Sequence, residues 1–333
     1  MHNPNPPMGR PAFGICLGLA VAGVAAATAS VAQAQEKWPS RRVTLVVPFG
    51  AGTVTDATAR LLADQLKDMF GQPFISENRA GAGGTLGANA VAKAAPDGYT
   101  FLVGGNTTHS AAPALFKNVP YDPVKDFTPI ARIGKFPSVF ATNTLQPFKT
   151  IQEFVAFARA NPGKLTCGHG NSTGHITCET VKRRLGLDYV RLAYSSNPPA
   201  LIDLLGNNIQ LMVPDFLSGL PQIRAGKVVP LATVQRARSP LLSDVPTFDE
   251  TVLKDFEVLP WVSIFGPAGL PRDIVITLSE ALGAILKKPD IGKKINDMGT
   301  ELYYMPSEPF TEFVKADMPV WANHAKAAGI EPQ

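Results

Sequence analysis

The chain has 333 residues, of which 45% are hydrophobic and 17% charged, and 31 Lys and Arg against 27 Asp and Glu give a formal net charge of +4. This length predicts about two domains of ordinary size, and the composition excludes a disordered chain or a coiled coil. The net charge is too small and too evenly spread for a nucleic-acid-binding surface, and 3 Cys exclude a disulfide-dense scaffold.

The N-terminal segment, residues 1–34, has the pattern of a secretory signal peptide. A polar start that ends at Arg10 precedes a long uncharged run rich in Ala, Gly and Val, and a small-x-small cleavage site ends at Ala34. The alternative is a transmembrane anchor, since about 20 apolar residues can span a bilayer. Cys16 lies too early in the run for a lipoprotein anchor. We predict export to the periplasm and a mature chain that is not inserted in the membrane.

The first half of the mature chain alternates short strands with helices. The patterns predict strands over residues 42–48, 74–78 and 100–103, and helices over residues 57–70 and 88–95. Loops that contain glycine precede both helices. This order is typical of an α/β fold with a mostly parallel sheet.

The same order starts again after the centre of the chain. The patterns predict a strand over residues 165–167, a loop at 168–174, alternation up to residue 233, and helices over 151–161, 175–185, 272–287, 290–298 and 308–328. Extended connections at residues 136–142 and 261–265 would join two α/β lobes. We therefore expect a clamshell that closes on a small molecule, with residues 35–137 and 265–333 in lobe 1 and residues 138–264 in lobe 2.

Two loops, residues 50–56 and 168–174, are candidates for a ligand site. Each leads from a strand end to a helix N-terminus, where free backbone N–H groups and the helix dipole favour a carboxylate or phosphate. Their polar side chains are Thr53, Thr55, Asp56, Asn171, Ser172 and Thr173. Asp56 can cap the helix or accept a hydrogen bond from a ligand. The open alternative is that these residues only begin the helices.

Other chemistries have weaker support. The glycine-rich loop at residues 81–87 lacks the spacing of a dinucleotide fingerprint. Ser172, His175 and Asp215 are the one set that could form a hydrolase triad, but Ser172 lacks a nucleophile-elbow pattern. Tyr194 and Trp261 could stack on a ligand, although buried aromatic residues more often belong to the core.

Four neighbouring residues, Cys167, His169, His175 and Cys178, are all competent zinc ligands. Their spacing matches no compact zinc knuckle, and an oxidising compartment would favour pairing of the two thiols. We therefore keep open a metal site, a Cys167–Cys178 disulfide, and two buried free cysteines. An exported hydrolase or metal-dependent enzyme built on these residues is the alternative to a ligand-binding protein.

A series of short motifs runs through the mature chain in a fixed order. They are PFGAGTVTD at 48–56 followed by Ala59 and Arg60, ENRAGAGG at 77–84, PDGYT at 96–100, YDPVKDF at 121–127, NPGKL at 161–165, DLLG at 203–206, AGK at 225–227, DVPT at 244–247 and PAG at 267–269. Each motif is weak alone, but the ordered set spans essentially the whole mature chain. By these motifs the chain resembles the Bug family, the periplasmic solute receptors of tripartite tricarboxylate transporters.

The resemblance implies a type II periplasmic-binding-protein fold, no catalysis and no cofactor. It also implies a small carboxylate ligand (a di- or tricarboxylate, an acidic amino acid, nicotinate or an aromatic acid) held by backbone amides, hydroxyls and bridging waters. The residues of this chain that match the family's binding loops are Phe49, Thr55, Asp56, Thr108, His109, Ser172, His175, Tyr194 and Asp215.

Departures from the family pattern bear on the identity of the ligand. Thr53 stands where the family usually has a second glycine, and Ser195 and Ser196 replace a cation and a glycine. His169 and Asn171 are larger than the usual residues of their loop. The loss of a cation with retention of hydroxyls predicts a monocarboxylate or aromatic acid in preference to citrate.

The resemblance implies a partner as well, namely a membrane permease that takes the ligand from the closed receptor. A ligand-sensing partner of a signalling protein would share the fold and the site, and is the alternative. We expect a periplasmic monomer that has no nucleic-acid partner.

Overall fold

The structure, a computed structural model, describes residues 1–2 and 37–332. The predicted signal peptide and its cleavage site lie almost entirely outside the described residues. Trp38–Gln333 forms one compact unit, and the elements given below belong to it. In the part of the chain that is described, no helix combines the length and apolar character needed to cross a bilayer.

The compact unit contains strands and helices in alternation. The strands are β1 Val43–Val47, β2 Phe74–Asn78, β3 Thr100–Gly105, β4 Phe127–Lys135, β5 Val139–Asn143, β6 Thr166–His169, β7 Val190–Ala193, β8 Leu211–Met212, β9 Val228–Thr233, β10 Trp261–Pro267 and β11 Glu301–Pro306. The helices are α1 Val54–Phe70, α2 Thr85–Ala92, α3 Ala112–Leu115, α4 Ile151–Ala160, α5 Ser172–Arg184, α6 Asn197–Leu205, α7 Phe216–Arg224, α8 Arg272–Leu286, α9 Pro289–Asp297 and α10 Ser307–Ala327. A π-helical turn, Thr107–Ala111, leads directly into α3.

The strands form two mixed sheets, with the order β11-β4-β10-β3-β1-β2 in the first and β7-β6-β8-β5-β9 in the second. Strand β1 pairs in parallel with β2 and β3, and β6 pairs in parallel with β7 and β8. The remaining pairs are antiparallel. The sheets are therefore less parallel than predicted. The strands that follow the two crossings, β5 and β10, run antiparallel to both of their neighbours.

Both helices that face the predicted site begin earlier than their apolar pattern suggested. The Thr53 hydroxyl accepts from the amide of Asp56 at 3.3 Å, so α1 begins at Val54. The Asn171 side chain accepts from the amide of Gly174 at 2.9 Å, so α5 begins at Ser172. Side-chain caps of this kind satisfy amides that have no partner inside the helix. The two candidate loops are therefore shorter than predicted, and their last residues form first helical turns.

The crossings between the sheets are short. The chain leaves the first sheet after Lys135 and enters the second at Val139, so only residues 136–138 connect them. The return enters β10 at Trp261, and the Phe136 amide donates to the Pro260 carbonyl at 3.0 Å. The predicted connection at residues 261–265 is thus part of a strand of the first sheet.

Helix α10 packs against both halves of the molecule. Phe310 and Val314 lie in a buried cluster with residues of the first sheet, including Phe265. Trp321 and Ala325, about two to four turns further along, lie in the core of the second sheet. The C-terminal part of the segment assigned to lobe 1 therefore contributes to the second core.

Candidate functional site

A narrow cleft lies where the carboxyl ends of β1, β3 and β6 meet. Its lining residues are Phe49, Thr53, Val54, Thr55, Gly105, Asn106, Thr107, Phe136, Gly170, Asn171, Thr173, Asn197, Asp215, Pro260 and Trp261. Strand β10 runs antiparallel to β3, with Val262 opposite Gly105, so its first residue reaches the same edge. Residues of both sheets and of both crossings thus border one cleft, as expected for an open α/β sheet.

Six residues predicted for the site line this cleft: Phe49, Thr53, Thr55, Asn171, Thr173 and Asp215. The helix caps Thr53, Asn171 and Asp215 share one feature, because each stands directly before the first turn of a helix that begins at the cleft. Their positions follow from the strand–loop–helix order on which the prediction was based.

Asp56 lies behind the first loop and does not line the cleft. Its carboxylate accepts from the Gly52 amide at 3.1 Å, from Asn78 Nδ2 at 2.9 Å and from Arg60 Nε at 3.1 Å. Asn78 Nδ2 also donates to the Phe49 carbonyl at 3.0 Å. Burial raises the pKa of Asp56, but the bonds from Arg60, Asn78 and Gly52 lower it further, so the net pKa is below its usual value. The structure gives Asp56 a positioning role in place of the predicted ligand contact.

Thr108 and His109 point away from the cleft. The Thr108 hydroxyl donates to the Gly105 carbonyl at 3.1 Å. The fully buried His109 ring stacks on Phe265 with centroids 3.6 Å apart. Burial lowers the pKa of His109 to about 3, against a smaller opposite effect of a hydrogen bond with Gly105. These two residues belong to the core of the first sheet, and their neighbours Asn106 and Thr107 line the cleft in their place.

Ser172 joins the two halves of the cleft. Its Oγ lies 2.8 Å from Thr107 Oγ1 and accepts from Asn106 Nδ2 at 3.0 Å. Within the described chain no hydrogen bond links Ser172 to His175 or His175 to Asp215, so the predicted triad is not assembled. Asp215 instead accepts from Asn197 Nδ2 and from Ser218.

Tyr194 is also outside the cleft lining. Its hydroxyl donates to Asp203 Oδ2 at 2.6 Å, and its ring packs against the small core beneath α6. Burial, together with the neighbouring Asp203 carboxylate, raises the pKa of Tyr194 to about 12. The phenol therefore supports the C-terminal part of α6, and its ring does not line the cleft.

The structure joins Cys167 and Cys178 by a disulfide, with their Cα atoms 6.2 Å apart. This pairing removes both thiolates from the predicted zinc set. Across residues 1–2 and 37–332, no group of three or more His, Cys, Asp or Glu side chains is placed to hold a metal ion. The bond ties β6 to α5 directly behind the second cleft loop.

His169 and His175 form a stacked pair beside this disulfide, with ring centroids 4.8 Å apart. His169 Nε2 lies 2.8 Å from the Arg191 guanidinium, which also pairs with Glu179 at 2.8 Å. Burial lowers the pKa of His169 to about 4, helped by the charge of Arg191. Burial lowers the pKa of His175 to about 3, helped by His169 and Arg191. Both rings are neutral in the folded protein near neutral pH.

These neutral histidines predict that stability falls in mild acid. In the unfolded chain a histidine takes up a proton near pH 6.5, whereas in the folded chain these two do so only near pH 3–4. Their contribution to the free energy of unfolding is therefore complete above about pH 6.5 and is lost as the pH falls toward the folded pKa values. Urea unfolding at a series of pH values should show this slope. His175→Phe keeps the stacking and should recover about 2–3 kcal/mol of the loss between about pH 6.5 and 4. An unchanged slope in His175→Phe would contradict the assignment.

Backbone amides offer hydrogen-bond donors to the cleft. The amides of Val54 and Thr55, and those of Ser172 and Thr173, occupy first helical turns and have no acceptor among the residues that the structure describes. The lining residues described above include no Lys, Arg or His. A ligand anion would therefore be held by amides, hydroxyls and helix dipoles.

Several lining residues were not predicted for the site, namely Asn106, Thr107, Phe136, Asn197 and Pro260. Gly170 lies in the predicted second loop, and Trp261, left open between ligand stacking and the core, lines the cleft. For Asn106 and Thr107 a signal existed, because they directly follow β3. Phe136, Pro260 and Trp261 reach the cleft only because the two crossings meet there. Trp261 is fixed from behind, since its indole N–H donates to Asp317 of α10 at 2.8 Å.

Comparison with known proteins agrees with this geometry. Residues 58–330 match the family model described as tripartite tricarboxylate transporter family receptor. Protein BugT of Bordetella pertussis is 30% identical over 94% of this chain and 98% of its own length. The structure described as R. palustris Rpa4515 with adipate is 33% identical, with a TM-score of 0.86 over 89% of this chain and 100% of that chain. MatC from Rhodopseudomonas palustris with bound malate is 34% identical, with a TM-score of 0.79 over 86% of this chain and 99% of that chain.

Proposed function

The chain belongs to the tripartite tricarboxylate transporter receptor family, and from this premise we propose that its cleft captures a small carboxylate and delivers it to the membrane permease of such a transporter. Members of the family are solute-binding receptors rather than enzymes, and they are periplasmic. The fold is that of these receptors, with two mixed α/β sheets and a cleft between them. The proposal concerns the ligand class and its delivery.

One observation carries the proposal: unpaired first-turn amides of α1 and α5 meet at a cleft that both sheets border. Val54 and Thr55 supply two such amides, and Thr173 adds an amide and a hydroxyl whose oxygen is buried and unpartnered. A carboxylate can accept from several of these donors at once. Phe49, Phe136 and Trp261 provide apolar walls for a short carbon skeleton.

Ligands of two structural neighbours support the same class. The neighbours described above contain adipate and malate, both small carboxylates. The similarity to each of them extends over more than four fifths of this chain. The cleft residues from Gly105 onward lie within the region that matches the family model, whereas Phe49, Thr53, Val54 and Thr55 precede it. We infer a carboxylate of similar or smaller size here.

Closure of the cleft would link binding to delivery. Polar contacts already join the two sides, since Ser172 bonds with Asn106 and Thr107. The loops also approach closely at Gly50, where an added Cβ would lie 2.9 Å from Ser196 Oγ. A ligand that contacts both sides binds the closed form better and shifts the population toward it. A permease that recognises only the closed form would then accept loaded receptors.

The ligand class is tested by thermal unfolding of the ligand-stripped mature chain, residues 35–333. Adipate, malate, citrate, benzoate and nicotinate are each compared with the corresponding uncharged amide. A bound acid at about a hundredfold excess over its Kd should raise the Tm by about 5 °C, whereas the amide should not. If the amides raise the Tm as much as the acids do, or if neither these acids nor other small monocarboxylates raise it, carboxylate capture is wrong. Delivery is then measured as receptor-dependent uptake of the same acid into vesicles that contain the permease.

A further inference from the structure

One side of the cleft presents hydrogen-bond acceptors that have no donor. Asn197 is 2% exposed and lines the cleft, and its Oδ1 meets no donor among the described residues. Its Nδ2 donates to Asp215 Oδ2 at 2.8 Å. An ionised carboxylate accepts and does not donate, so Asn197 must turn Nδ2 toward Asp215 and Oδ1 away from it. The orientation of the amide follows from this chemistry.

Asp215 has acceptor capacity left as well. Its Oδ1 accepts from the amide and from the hydroxyl of Ser218, each at 2.9 Å, while its Oδ2 accepts, among the residues that the structure describes, only from Asn197. A carboxylate oxygen can accept about two hydrogen bonds, so Oδ2 can take another. Asp215 is 3% exposed and lines the cleft together with Asn197.

A buried acceptor that lacks a donor is costly, and a ligand that brings a donor removes this cost. Thr173 Oγ1, also buried and unpartnered, can adapt because a hydroxyl both donates and accepts. The charge of Asp215 acts in the same direction, since it attracts a donor and repels a second carboxylate. The amides of α1 and α5 therefore favour a carboxylate on the ligand, whereas Asn197 and Asp215 favour a hydrogen-bond donor on the same molecule.

We propose that the ligand is a monocarboxylate that also carries a hydroxyl or ammonium group, and that Asn197 Oδ1 and Asp215 receive this donor. The inference rests on the proposed function, because it names the ligand class of the same cleft. The amides of α1 and α5 take the carboxylate, and the acceptor pair selects the substituent.

Calorimetry with two sets of acids tests this selection. The first set is propionate, lactate and alanine, and the second is benzoate, 3-hydroxybenzoate and 4-hydroxybenzoate. In at least one set a donor-bearing acid should bind about tenfold or more tightly than the plain acid, as expected for one buried hydrogen bond. Tighter binding of alanine than of lactate would identify the ammonium as the preferred donor.

A variant pair assigns the effect to the acceptor. Asn197→Ala should reduce the affinity advantage of the donor-bearing acid over the plain acid to about twofold or less. Asn208→Ala is the matched control, because Asn208 is exposed and its side chain bonds to Asp203, near the other end of α6 and outside the cleft lining. If Asn197→Ala does not fold, the comparison of acids in the natural chain still decides.

The outcomes separate the two proposals. Equal affinity within both sets would overturn the acceptor assignment and leave carboxylate capture in place. A donor advantage that survives in a folded Asn197→Ala would also overturn it. If no acid of either set and none of the dicarboxylates binds, the proposed function itself is wrong, and the inference is lost with it.

Discussion

Asp56→Ala should weaken binding of the carboxylate ligand by about ten- to a hundredfold and lower the free energy of unfolding by about 2–4 kcal/mol. The carboxylate of Asp56 holds the Gly52 amide, Asn78 and Arg60, and Asn78 in turn holds the Phe49 carbonyl. Without it, the loop that carries Phe49, Thr53 and Thr55 must be ordered by the ligand itself. Ordering the backbone costs about 1–2 kcal/mol per residue. This cost would be taken from the free energy of ligand binding, so the affinity falls.

The controls separate loop position from charge. Asp64→Ala removes an exposed acid from the same helix and should change neither quantity measurably. Asp56→Asn keeps the shape but accepts through one oxygen only, so it should fall between the natural chain and Asp56→Ala. The Arg60 side chain is 53% exposed, which makes its share of the lost stability small. Normal affinity in Asp56→Ala, measured by calorimetry, would show that the loop needs no such support.

The order of strands and helices could be predicted because local patterns determine it. β1 is buried along nearly its whole length, and such a strand appears as a continuous run of Val and Leu. The direction in which strands pair is not local. β10 returns from the second sheet and inserts between β3 and β4 in the opposite direction. This return depends on contacts across more than a hundred residues, so the sequence pattern did not indicate it.

The candidate site was predictable where function follows from position along a strand. Thr53, Asn171 and Asp215 line the cleft because each follows a strand end and caps a helix. His109 and His175 were expected there on the basis of the family resemblance, but neither lines the cleft: the His109 ring stacks on Phe265 and the His175 ring on His169. The direction of a side chain at a turn depends on packing, here on Phe265 and on His169.

Asn197 shows a different limit of sequence reasoning. It stands at the first position of α6, after Ser195 and Ser196, where the sequence departs from the family pattern. We read that departure as the loss of a cation. The structure adds that Asn197 fills part of the cleft and bonds to Asp215, which lies 18 residues further along the chain. A contact of this separation cannot be read from spacing alone.

The close packing behind Asn197 leads to a second large expected effect, in Gly170→Ala. A Cβ at Gly170 would lie 2.0 Å from the Ser196 carbonyl carbon and 2.3 Å from the Asn197 nitrogen. Both are backbone atoms, so the loop after β6 and the start of α6 would have to separate. We expect the free energy of unfolding to fall by about 2–3 kcal/mol and ligand affinity to fall by about tenfold or more, since Asn197 is displaced from Asp215.

Gly206→Ala is the matched control for this substitution. Gly206 ends the same helix, has a φ of −80° that any residue adopts, and a Cβ there would lie no closer than 3.4 Å to the Ile202 carbonyl oxygen. Its unfolding free energy should change by less than about 0.5 kcal/mol, with unchanged affinity. Urea unfolding and calorimetry of both variants measure these quantities. If Gly170→Ala binds and unfolds like Gly206→Ala, the loop after β6 and the start of α6 can move apart at little cost in free energy. The arrangement of Asn197 and Asp215 would then not depend on the close approach of these two segments.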